Sequence, residues 1–460
     1  MSFKPVSTKI DFPAQERDIL HWWKDTDAFN QLREQLASSE KRYSFLDGPI
    51  TANNPMGVHH AWGRTYKDVY QRFHAMLGEN QRWQNGFDCQ GLWIEVNVER
   101  DLGFKSKRDI ETYGIAPFVM LCKQRVLNYA AVQTEQSIRL GYWMNWDDPV
   151  GLRLLRDKLG EDPNQPIDYH GPDGSFEGTI EQVVGQLGVG QMGGSYFTFS
   201  DENNYQIWGF LKKCFDRGWI YKGHDVMPWC WRCGTGISQH EIVTEGYVEK
   251  TDPGLTVRFP LVGQWGDGET KESLLVWTTT PWTLTSNVAA AVGPELTYVK
   301  VKQGDEYLYL SKGTLKMLKG KFEVIEELKG RDMEGWQYYG PFDDLPVAAL
   351  AAAKEAHRVI LWEEVGEEDG TGIVHIAPGC GAEDFELGKR YNLPVIAPLT
   401  EDGTYLDGFN WLSGLNVTDV TKPIVEDLKV KGRFYRLDDY VHRYPVCWRC
   451  NTPLIFRLVD

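Results

Sequence analysis

The sequence predicts an α/β protein in which a domain of strands and helices is interrupted by a β-rich insertion. A short apolar stretch, a loop rich in Gly and Pro, and a helical pattern follow one another between Tyr43 and Leu77. From Asp252 onwards, short β-prone segments are separated by Gly, Pro and Asp. Two identical Cys-Trp-Arg-Cys segments stand at the two ends of this block. Together, these observations place the β-rich block inside the first domain.

Length, composition and charge limit the class of protein. The 460 residues allow roughly three domains on length alone. Hydrophobic residues make up 42% and charged residues 25%, as in folded globular proteins. No apolar run is long enough for a membrane span, and Met1 to Ile10 has no signal core, so we expect no membrane association. The net charge of −16 argues against a basic nucleic-acid coat but is compatible with a local basic track for RNA.

The interrupted domain is predicted to contain both strands and helices. Residues 12–37 are expected to form one helix, and Tyr43–Leu46 to form a strand. Two or three helices are expected within residues 108–141, and a helical pattern returns from Ser200 to Tyr221. The segment 151–194 differs in composition and is predicted to be a surface elaboration without chemistry. The β-rich block has five predicted strands: Leu255–Phe259, Leu274–Thr279, Thr297–Lys302, Tyr307–Leu310 and Gly372–Ile376.

The loop before the helix that follows Tyr43 is a candidate phosphate site. It holds two prolines and two glycines, and His59 and His60 stand where the helix begins. Free backbone N–H groups and the positive end of the helix dipole favour an anion at such a point. Imidazoles can add hydrogen-bond donors for a phosphoryl group. The alternative is that the two histidines only form local hydrogen bonds.

The cysteine pairs predict a metal site. Cys230 and Cys233 form one knuckle, and Cys447 and Cys450 form the other. A two-residue gap lets both sulfurs of a knuckle reach one tetrahedral Zn²⁺ at about 2.3 Å. We favour one structural Zn²⁺ that joins the two ends of the insertion, because four protein ligands leave no open position for catalysis. Two independent reduced knuckles, or separate metal sites, are the alternatives.

Several of these motifs resemble class I aminoacyl-tRNA synthetases. The stretch Asp47–Asp68, the turn Gly86–Glu95 and the paired knuckles carry the resemblance, which continues through Ser200–Tyr205 and Trp229–His240. Apart from residues 151–194 it covers nearly the whole chain. Within the family the isoleucyl group is the most similar. The valyl group is the alternative, although its turn usually reads Asp-His-Ala-Gly, unlike the Asp-Cys-Gln-Gly-Leu found in this sequence.

The resemblance implies a domain plan and a reaction. Residues 1–225 would hold the N-terminal helix and the first half of a Rossmann-type catalytic domain, and residues 252–435 an editing domain. Residues 226–251 and 436–460 would be the zinc-ribbon stems between them. The implied substrates are ATP with Mg²⁺, isoleucine and tRNA(Ile), joined through isoleucyl-adenylate by a monomeric cytoplasmic enzyme.

The ATP site implied by the resemblance departs from the family pattern. The family motif His-x-Gly-His falls on Gly57, Val58, His59 and His60. His60 matches the last histidine, whereas Gly57 and His59 have exchanged places. We expect His59 to supply the missing donor, so that both histidines act in catalysis. Asn53, in the same loop, is assigned to ATP with them.

The amino-acid site is implied by the same comparison. Asp88 would hold the α-amino group of isoleucine, Pro49 would pack on its side chain, and Gly48 would allow close backbone approach. Gln90 and Trp93 stand where the family commonly has His and Pro. Gln90 can still donate a hydrogen bond, whereas Trp93 has no evident compensation. The alternative for Asp88 is a role in stabilising the turn.

The β-rich block resembles the family's editing domain. Two stretches carry this resemblance, a threonine-rich one at residues 278–284 and a glycine-rich one at residues 370–378. The candidate residues in and after these stretches are Thr278, Thr279, Thr280, Asn287, His375 and Asp384. Threonine hydroxyls would position a water and the terminal adenosine, and Asp384 would bind the α-amino group of the wrong amino acid. Thr279, Thr280 and Asp384 are the catalytic candidates. Alternatively, the threonines are ordinary strand residues and Asp384 caps a helix.

Editing is needed because valine lacks only one methylene of isoleucine. A hydrophobic pocket separates the two by about 10–200-fold, a range that comes from isoleucine enzymes themselves. The family's second motif, Lys-Met-Ser-Lys-Ser, does not occur in this sequence. We therefore expect the N-terminal portion of a longer enzyme, weak in ligation by itself but able to hydrolyse the ester. The alternative is a stand-alone editing or tRNA-binding protein.

Overall fold

The structure, a computed structural model, describes residues 9–263, 271–368 and 370–460. Residues 1–8 of the predicted catalytic domain and residues 264–270 and 369 of the predicted editing domain lie outside the described residues. The chain forms two compact units, Met1–Tyr221 and Lys222–Asp460. The first combines helices with short strands, and the second is mainly β. The predicted α/β fold class is therefore confirmed.

The first unit is built largely of helices. They are α1 (Phe12–Asp25), α2 (Ala28–Ala37), α3 (Val58–Met76), α4 (Leu92–Leu102), α5 (Arg108–Tyr113), α6 (Ile115–Leu140), α7 (Pro149–Glu161), α8 (Ile180–Gly185) and α9 (Asp201–Asp216). The single helix predicted at 12–37 is wrong, since the structure has two helices there. The Thr26 hydroxyl donates to the Trp22 carbonyl (2.7 Å), and Asp27 takes a left-handed conformation (φ 50°). An α-helix cannot continue through that conformation.

Short strands position the loops of the first unit. They are β1 (Arg42–Tyr43), β2 (Ile50–Thr51), β3 (Asn80–Gln81), β4 (Gly86–Asp88), β5 (Pro166–His170), β6 (Ser175–Thr179) and β7 (Tyr196–Phe197). Strands β2, β4 and β7 form a parallel sheet, β1 pairs with β3 in parallel, and β5 and β6 form a hairpin. The predicted strand Tyr43–Leu46 is too long. The chain leaves the strand after Tyr43, and Asp47 turns its carboxylate to the Gly86 N–H (2.9 Å).

Residues 151–194 belong to the core of the first unit, so their prediction as a surface elaboration is wrong. Leu152, Leu155 and Leu159 of α7 are at most 2% exposed, and α8 buries Ile180 and Val183 fully. The spacing of the three leucines is that of one helix face. Of the glycines in this segment, Gly188 lies at a crowded turn (φ 79°), where an added Cβ would lie 2.3 Å from the Ser195 carbonyl oxygen.

The second unit is organised by a nine-stranded sheet. Its strands are β10 (Tyr247–Pro260), β11 (Lys271–Thr278), β12 (Ala289–Val292), β13 (Thr297–Gln303), β14 (Glu306–Ser311), β15 (Glu323–Lys329), β16 (Val359–Leu361), β17 (Ile373–Ile376) and β18 (Phe434–Pro445). The order runs β15-β13-β14-β11-β17-β12-β16, and β10 pairs with both β11 and β18. All five predicted strands are present. Four of them differ by at most three residues at either end, whereas β10 begins eight residues before the predicted Leu255.

The remaining elements of the second unit frame this sheet. A three-stranded antiparallel sheet contains β8 (Asp225–Cys230), β9 (Thr235–Gly236) and β19 (Ile455–Val459), in the order β19-β8-β9. The helices are α10 (Gln239–Glu245), α11 (Pro346–Leu350), α12 (Ala353–Ala356), α13 (Ala382–Tyr391) and α14 (Thr421–Val430). None of the helices in the described part of the chain combines the length and the apolar composition that crossing a bilayer requires.

Candidate functional site

The loop of the first unit brings its two histidines together at the start of α3. The Gly57 N–H donates to His60 Nδ1 (3.1 Å), and the rings of His59 and His60 lie 3.9 Å apart. Burial, with smaller contributions from His59 and Arg64, lowers the pKa of His60. A neutral ring that accepts at Nδ1 carries its proton on Nε2. His60 therefore offers one N–H donor beside the free N–H groups of the helix start.

The exchange of Gly57 and His59 has a steric basis. A Cβ added to Gly57 would lie 2.9 Å from His59 Cε1 and 3.0 Å from its Nδ1. These separations are shorter than a normal van der Waals contact, so the imidazole occupies the space that a side chain at 57 needs. The two changes are therefore a matched pair. The structure agrees with the idea that His59 acts in place of a residue at 57, which remains a prediction.

Asp47 is a positioning residue that the sequence analysis missed. Its buried carboxylate pairs with Lys67 of α3 and accepts from the Gly86 N–H (2.9 Å), while Lys67 also donates to the Gly48 carbonyl (3.1 Å). One carboxylate thus ties the histidine loop, α3 and the second Gly-bounded turn together. An Asp before a Gly usually signals a turn, so the sequence gives no sign of this role.

The predicted amino-acid site is only partly assembled. Asp88 Oδ2 accepts from the Thr51 hydroxyl (2.9 Å), and Asp88 remains partly exposed. Gln90 is exposed, with its amide nitrogen 3.5 Å from Asn204 Oδ1. Asn53, predicted to contact ATP, is buried and donates to the Trp93 carbonyl at 3.4 Å. Of these side chains, Asp88 is the best placed to meet a ligand.

Gly48 and Pro49 lie at the exposed end of this loop. Gly48 is exposed, and no atom lies within 4 Å of a Cβ placed on it. Pro49 is half-buried just before β2. Because β2 pairs in parallel with β4, both residues lie near the strand that ends at Asp88. Their predicted roles toward isoleucine are compatible with this placement.

The first unit also has a cavity of about 660 Å³, which lies away from the candidate amino-acid site at Asp88. It lies among α1, the start of α3 and the end of α6, and its apolar wall includes Leu20, Trp23 and Val58. Gly57 reaches this cavity, whereas Asp88 does not line it. The candidate site is therefore the loop before α3 and the turn that ends at Asp88, not this cavity.

The second unit assembles the predicted editing residues in a pocket of about 280 Å³, called here the ester pocket. Thr278, Thr279, Thr280, His375 and Asp384 all line it, together with Thr283, which was not among the predicted residues. They come from the end of β11, from β17 and from α13. Strands β11 and β17 are neighbours in the sheet, with Trp277 opposite Val374, which brings segments about a hundred residues apart together.

A chain of hydrogen bonds fixes the protonation of His375. The Thr283 hydroxyl lies 2.8 Å from the Thr280 carbonyl and 2.9 Å from His375 Nε2. A hydroxyl has one proton, which the carbonyl must receive, so His375 Nε2 donates to Thr283. His375 Nδ1 then carries a lone pair, buried and without a partner among the described residues. Burial lowers the pKa of His375 to about 4, so the ring is neutral at physiological pH.

Asp384 is held in the first turn of α13. Its Oδ1 accepts from the Ala377 N–H (2.7 Å), and the backbone position before the helix belongs to Gly381. Asp384 therefore does not cap this helix. A Cβ on Gly381 would meet Asp384 Oδ2 at 2.3 Å, so a side chain there would displace the Asp384 carboxylate. Burial raises the pKa of the Asp384 carboxyl to about 6.

The threonines of the ester pocket differ in whether their hydroxyls form hydrogen bonds within the protein. Thr278 Oγ1 accepts from the Thr280 N–H (3.0 Å) and lies 3.2 Å from Thr280 Oγ1. The Thr279 hydroxyl has no protein partner within residues 9–263, 271–368 and 370–460, and the residue is half-buried at the pocket wall. Thr279 is thus the threonine most available to a ligand.

Asn287 does not line the ester pocket. Its amide nitrogen donates to the Ala289 carbonyl (2.9 Å), and its oxygen accepts from the Tyr338 hydroxyl (2.8 Å). Both bonds lie in the core, where Asn287 is 5% exposed. We therefore leave Asn287 out of the site and assign it to the stability of the strand that follows.

The four predicted cysteines lie together in the second unit. One sulfur atom from each of Cys230, Cys233, Cys447 and Cys450 lies within 4.8 Å of the others. Cys450 Sγ is 3.5 Å from both Cys230 Sγ and Cys233 Sγ. Donation from neighbouring thiols lowers the pKa of Cys447 to about 6. Four converging thiols fit the thiolate set of one tetrahedral metal ion, and the two knuckles are not independent.

Comparisons with known proteins cover most of the chain. The family model of class I tRNA synthetases (I, L, M and V) matches residues 18–154 and 174–441. The isoleucine–tRNA ligases of Pyrococcus horikoshii and Thermus thermophilus are 38% and 36% identical over 457 and 455 residues, covering 97% and 99% of this chain. The chain spans 38% of the length of either relative. Because these relatives are isoleucine enzymes, the valyl alternative is not favoured.

Solved structures give a weaker likeness. The editing domain of the P. knowlesi cytosolic leucyl-tRNA synthetase aligns with 42% of this chain and 97% of its own, at a TM-score of 0.33 and 11% identity. A likeness of this strength carries no argument about the site.

Proposed function

Because the chain belongs to the class I tRNA synthetases of the isoleucine, leucine, methionine and valine group, we propose that it serves as an isoleucine–tRNA ligase. Its substrates are ATP with Mg²⁺, isoleucine and tRNA(Ile), and it works as a cytoplasmic monomer. The 38% identity to an isoleucine–tRNA ligase over 97% of this chain supports the proposal.

The first unit contributes the adenylate-forming site of a Rossmann-type domain. His59 and His60 donate hydrogen bonds to the phosphates of ATP at the start of α3, where the helix dipole also favours negative charge. The Asp88 carboxylate receives the α-ammonium group of isoleucine. Asp47 positions the two histidines and the Asp88 carboxylate, because it links the histidine loop to the turn that ends at Asp88.

The four cysteines of the second unit would hold a structural Zn²⁺. Four thiolates complete its coordination and leave no place for a substrate. Because Cys233 and Cys450 lie 217 residues apart in sequence, the ion would hold the two stems of the β-rich block in one geometry.

The second unit hydrolyses valyl-tRNA(Ile), and the ester pocket is the observation that carries this function. The Asp384 carboxylate binds the α-ammonium group of the wrong amino acid. Thr279 and Thr280 orient a water toward the ester carbonyl and hold the terminal ribose. Attack by water forms a C–O bond to the ester carbonyl and breaks the bond to the ribose oxygen. One proton of the water passes to the ribose oxygen and the other to solvent, and valine leaves as its carboxylate. His375 stays neutral and holds the Thr280–Thr283 turn in place.

The test is hydrolysis of valyl-tRNA(Ile) and isoleucyl-tRNA(Ile) by this chain. We expect faster release of valine than of isoleucine, and loss of that release in Asp384→Ala. Glu383→Ala is the matched control, because it removes an exposed carboxylate one residue away in the same helical turn. Normal valine release by Asp384→Ala would refute the site. Release of neither amino acid by the unvaried chain would refute the activity. Isoleucine-dependent exchange of pyrophosphate with ATP is measured separately for the first unit.

A further inference from the structure

One side of α6 holds the loop that leads into α3. We call residues 51–57 the entry loop, because they run from the last residue of β2 to the residue before α3. Arg125, Gln133 and Gln136 of α6 each form a hydrogen bond with the backbone of this loop. Their spacing along the helix places them on the same side of it. The entry loop therefore takes its conformation from a helix that lies far along the chain.

Gln133 joins the two ends of a tight turn in the entry loop. Its side-chain Nε2 donates to the Thr51 carbonyl (3.0 Å) and to the Asn54 carbonyl (2.8 Å). Both protons of the amide are therefore used on the loop. Pro55, the next residue, has no backbone N–H and cannot donate back to the Thr51 carbonyl as an ordinary helical turn would. The amide of Gln133 supplies the missing donor.

The two carbonyl groups lead to the two halves of the proposed adenylate-forming site. On one side, the hydroxyl of Thr51 donates to Asp88 Oδ2 (2.9 Å). On the other side, Gly57, three residues after Asn54, donates its N–H to His60 Nδ1 (3.1 Å). One amide therefore contacts both the backbone that carries the partner of the carboxylate and the backbone that leads to the imidazole.

The other two contacts from α6 reach one part of the entry loop each. Gln136 Oε1 accepts from the Met56 N–H (2.8 Å), close to the start of α3. Arg125 donates to the Asn53 carbonyl (2.9 Å), in the middle of the turn. Among the described side chains of α6, only Gln133 bonds to carbonyl groups at both ends of the turn.

A buried acceptor on the same side chain indicates that packing alone does not explain Gln133. The residue is 1% exposed, and its Oε1 has no hydrogen-bond partner among the described residues. The opposite orientation of the amide would point Oε1 at two carbonyl oxygens, so Nε2 must face the loop. An amide oxygen buried without a partner is unfavourable, and a methionine of similar length would avoid that cost. The fold therefore gives up stability to keep the two donors of this amide.

We propose that Gln133 is a positioning residue that couples the amino-acid half and the ATP half of the site in the first unit. The inference rests on the adenylate-forming function proposed for that unit. Through the Thr51 carbonyl, the amide sets the direction of the Asp88 carboxylate. Through the Asn54 carbonyl, it sets the place of His60 at the start of α3. Isoleucine and ATP are thereby held in one geometry, as attack of the isoleucine carboxylate on the α-phosphorus, with pyrophosphate leaving, requires.

The first experiment reads the geometry of both halves without catalysis. NMR of the whole chain follows the Thr51 methyl group and the His60 Hε1 resonance in Gln133→Met and in the matched control Gln136→Met. We expect Gln133→Met to shift both resonances, whereas Gln136→Met should shift that of His60 alone. The midpoint of thermal unfolding of Gln133→Met should change by less than about 3 °C, because methionine fills nearly the same volume.

The outcomes of this experiment separate coupling from ordinary packing. An unshifted His60 resonance in Gln133→Met would overturn the proposal, because nothing would then pass from Gln133 to α3. Equal shifts of the Thr51 methyl group in both variants would also overturn it, because any loss from α6 would then move the loop as a whole. If Gln133→Met does not fold, Gln133→Asn is read by the same criteria, since its amide is one methylene too short to reach both carbonyls.

The second experiment measures exchange of pyrophosphate with ATP at varied concentrations of isoleucine and ATP. Gln133→Met should lower kcat/KM by about 10-fold or more and raise KM for isoleucine as well as for ATP. Gln136→Met should leave KM for isoleucine within about 2-fold of that of the unvaried chain. An unchanged KM for isoleucine in Gln133→Met would overturn the proposal. If the unvaried chain shows no exchange, the ligase function proposed for it fails, while the two resonances still decide the role of Gln133.

Discussion

The carboxylate of Asp384 should reduce the stability of the second unit while it serves the proposed deacylation. Burial raises the pKa of this carboxyl from the ordinary 3.8 to about 6. Above pH 6 the folded protein must hold a charge in a site that favours the neutral acid. At 1.36 kcal/mol for each pH unit, the difference corresponds to about 3 kcal/mol at pH 8. This is an upper bound, since the side chain keeps some contact with solvent.

The sign of the pH dependence follows from linkage. A carboxyl whose pKa is raised in the folded state binds protons more tightly there than in the unfolded chain. Its unfavourable contribution is fully present above about pH 6 and disappears as the pH falls toward 3.8. At pH 5 about half of the effect remains, because the unfolded carboxyl is still ionised there.

Asp384→Asn tests this reasoning because an amide oxygen can still accept from the Ala377 N–H. We expect the midpoint of thermal unfolding of the second unit to rise by about 5–10 °C at pH 8, and by roughly half as much at pH 5. Deacylation should be lost, since an amide cannot pair with an ammonium group. In the unvaried chain, deacylation should increase with pH through about 6. Scanning calorimetry at the two pH values checks the first expectation, and a gain that is equal at both would refute the argument.

Three further predictions concern the other polar sites. Gly57→Ala should displace the His59 ring, because the added methyl group meets the imidazole. Adding His59→Gly should relieve this clash. An NMR resonance of His59 Hε1 that does not shift in the single variant would contradict the contact. Thr283→Val should lower the free energy of unfolding by about 1–3 kcal/mol, because it leaves His375 Nε2 without a partner. Thr283→Ser, which keeps the hydroxyl, should have nearly the stability of the unvaried chain. Metal analysis should find one Zn²⁺ per chain, and its removal by a chelator should melt the three-stranded sheet of the second unit; a ratio of two would mean separate sites.

Local patterns were enough to predict five of the nine strands in the large sheet of the second unit. Strands β13 and β14 lie within one residue of their predicted ends, because each is a short run of β-prone residues next to polar turn residues. The convergence of the two cysteine knuckles was also predictable, because each knuckle supplies only two of the four thiolates that a tetrahedral Zn²⁺ needs. In both cases the relevant physics is contained in a few neighbouring residues.

The remaining features depend on contacts that no local pattern contains. The break between α1 and α2 requires Asp27 to adopt a left-handed conformation that a helical pattern does not reveal. Asn287 follows the threonine-rich stretch in sequence, yet its oxygen bonds to Tyr338, 51 residues away. Thr283 was missed because its importance comes from His375, on another strand. Site residues that act through a distant partner need the fold before they can be assigned.

The Thr279–Thr280 peptide lines both the ester pocket and a neighbouring pocket of about 340 Å³, and this has a consequence for inhibitor design. Because Thr279 and Thr280 belong to both walls, a compound that crosses from one pocket to the other needs only a short linker. Joining two weak fragments in this way makes the second binding event intramolecular, which raises affinity by about 10²–10⁴ without any new contact. A substitution that removes either anchor should therefore cost most of that gain in affinity.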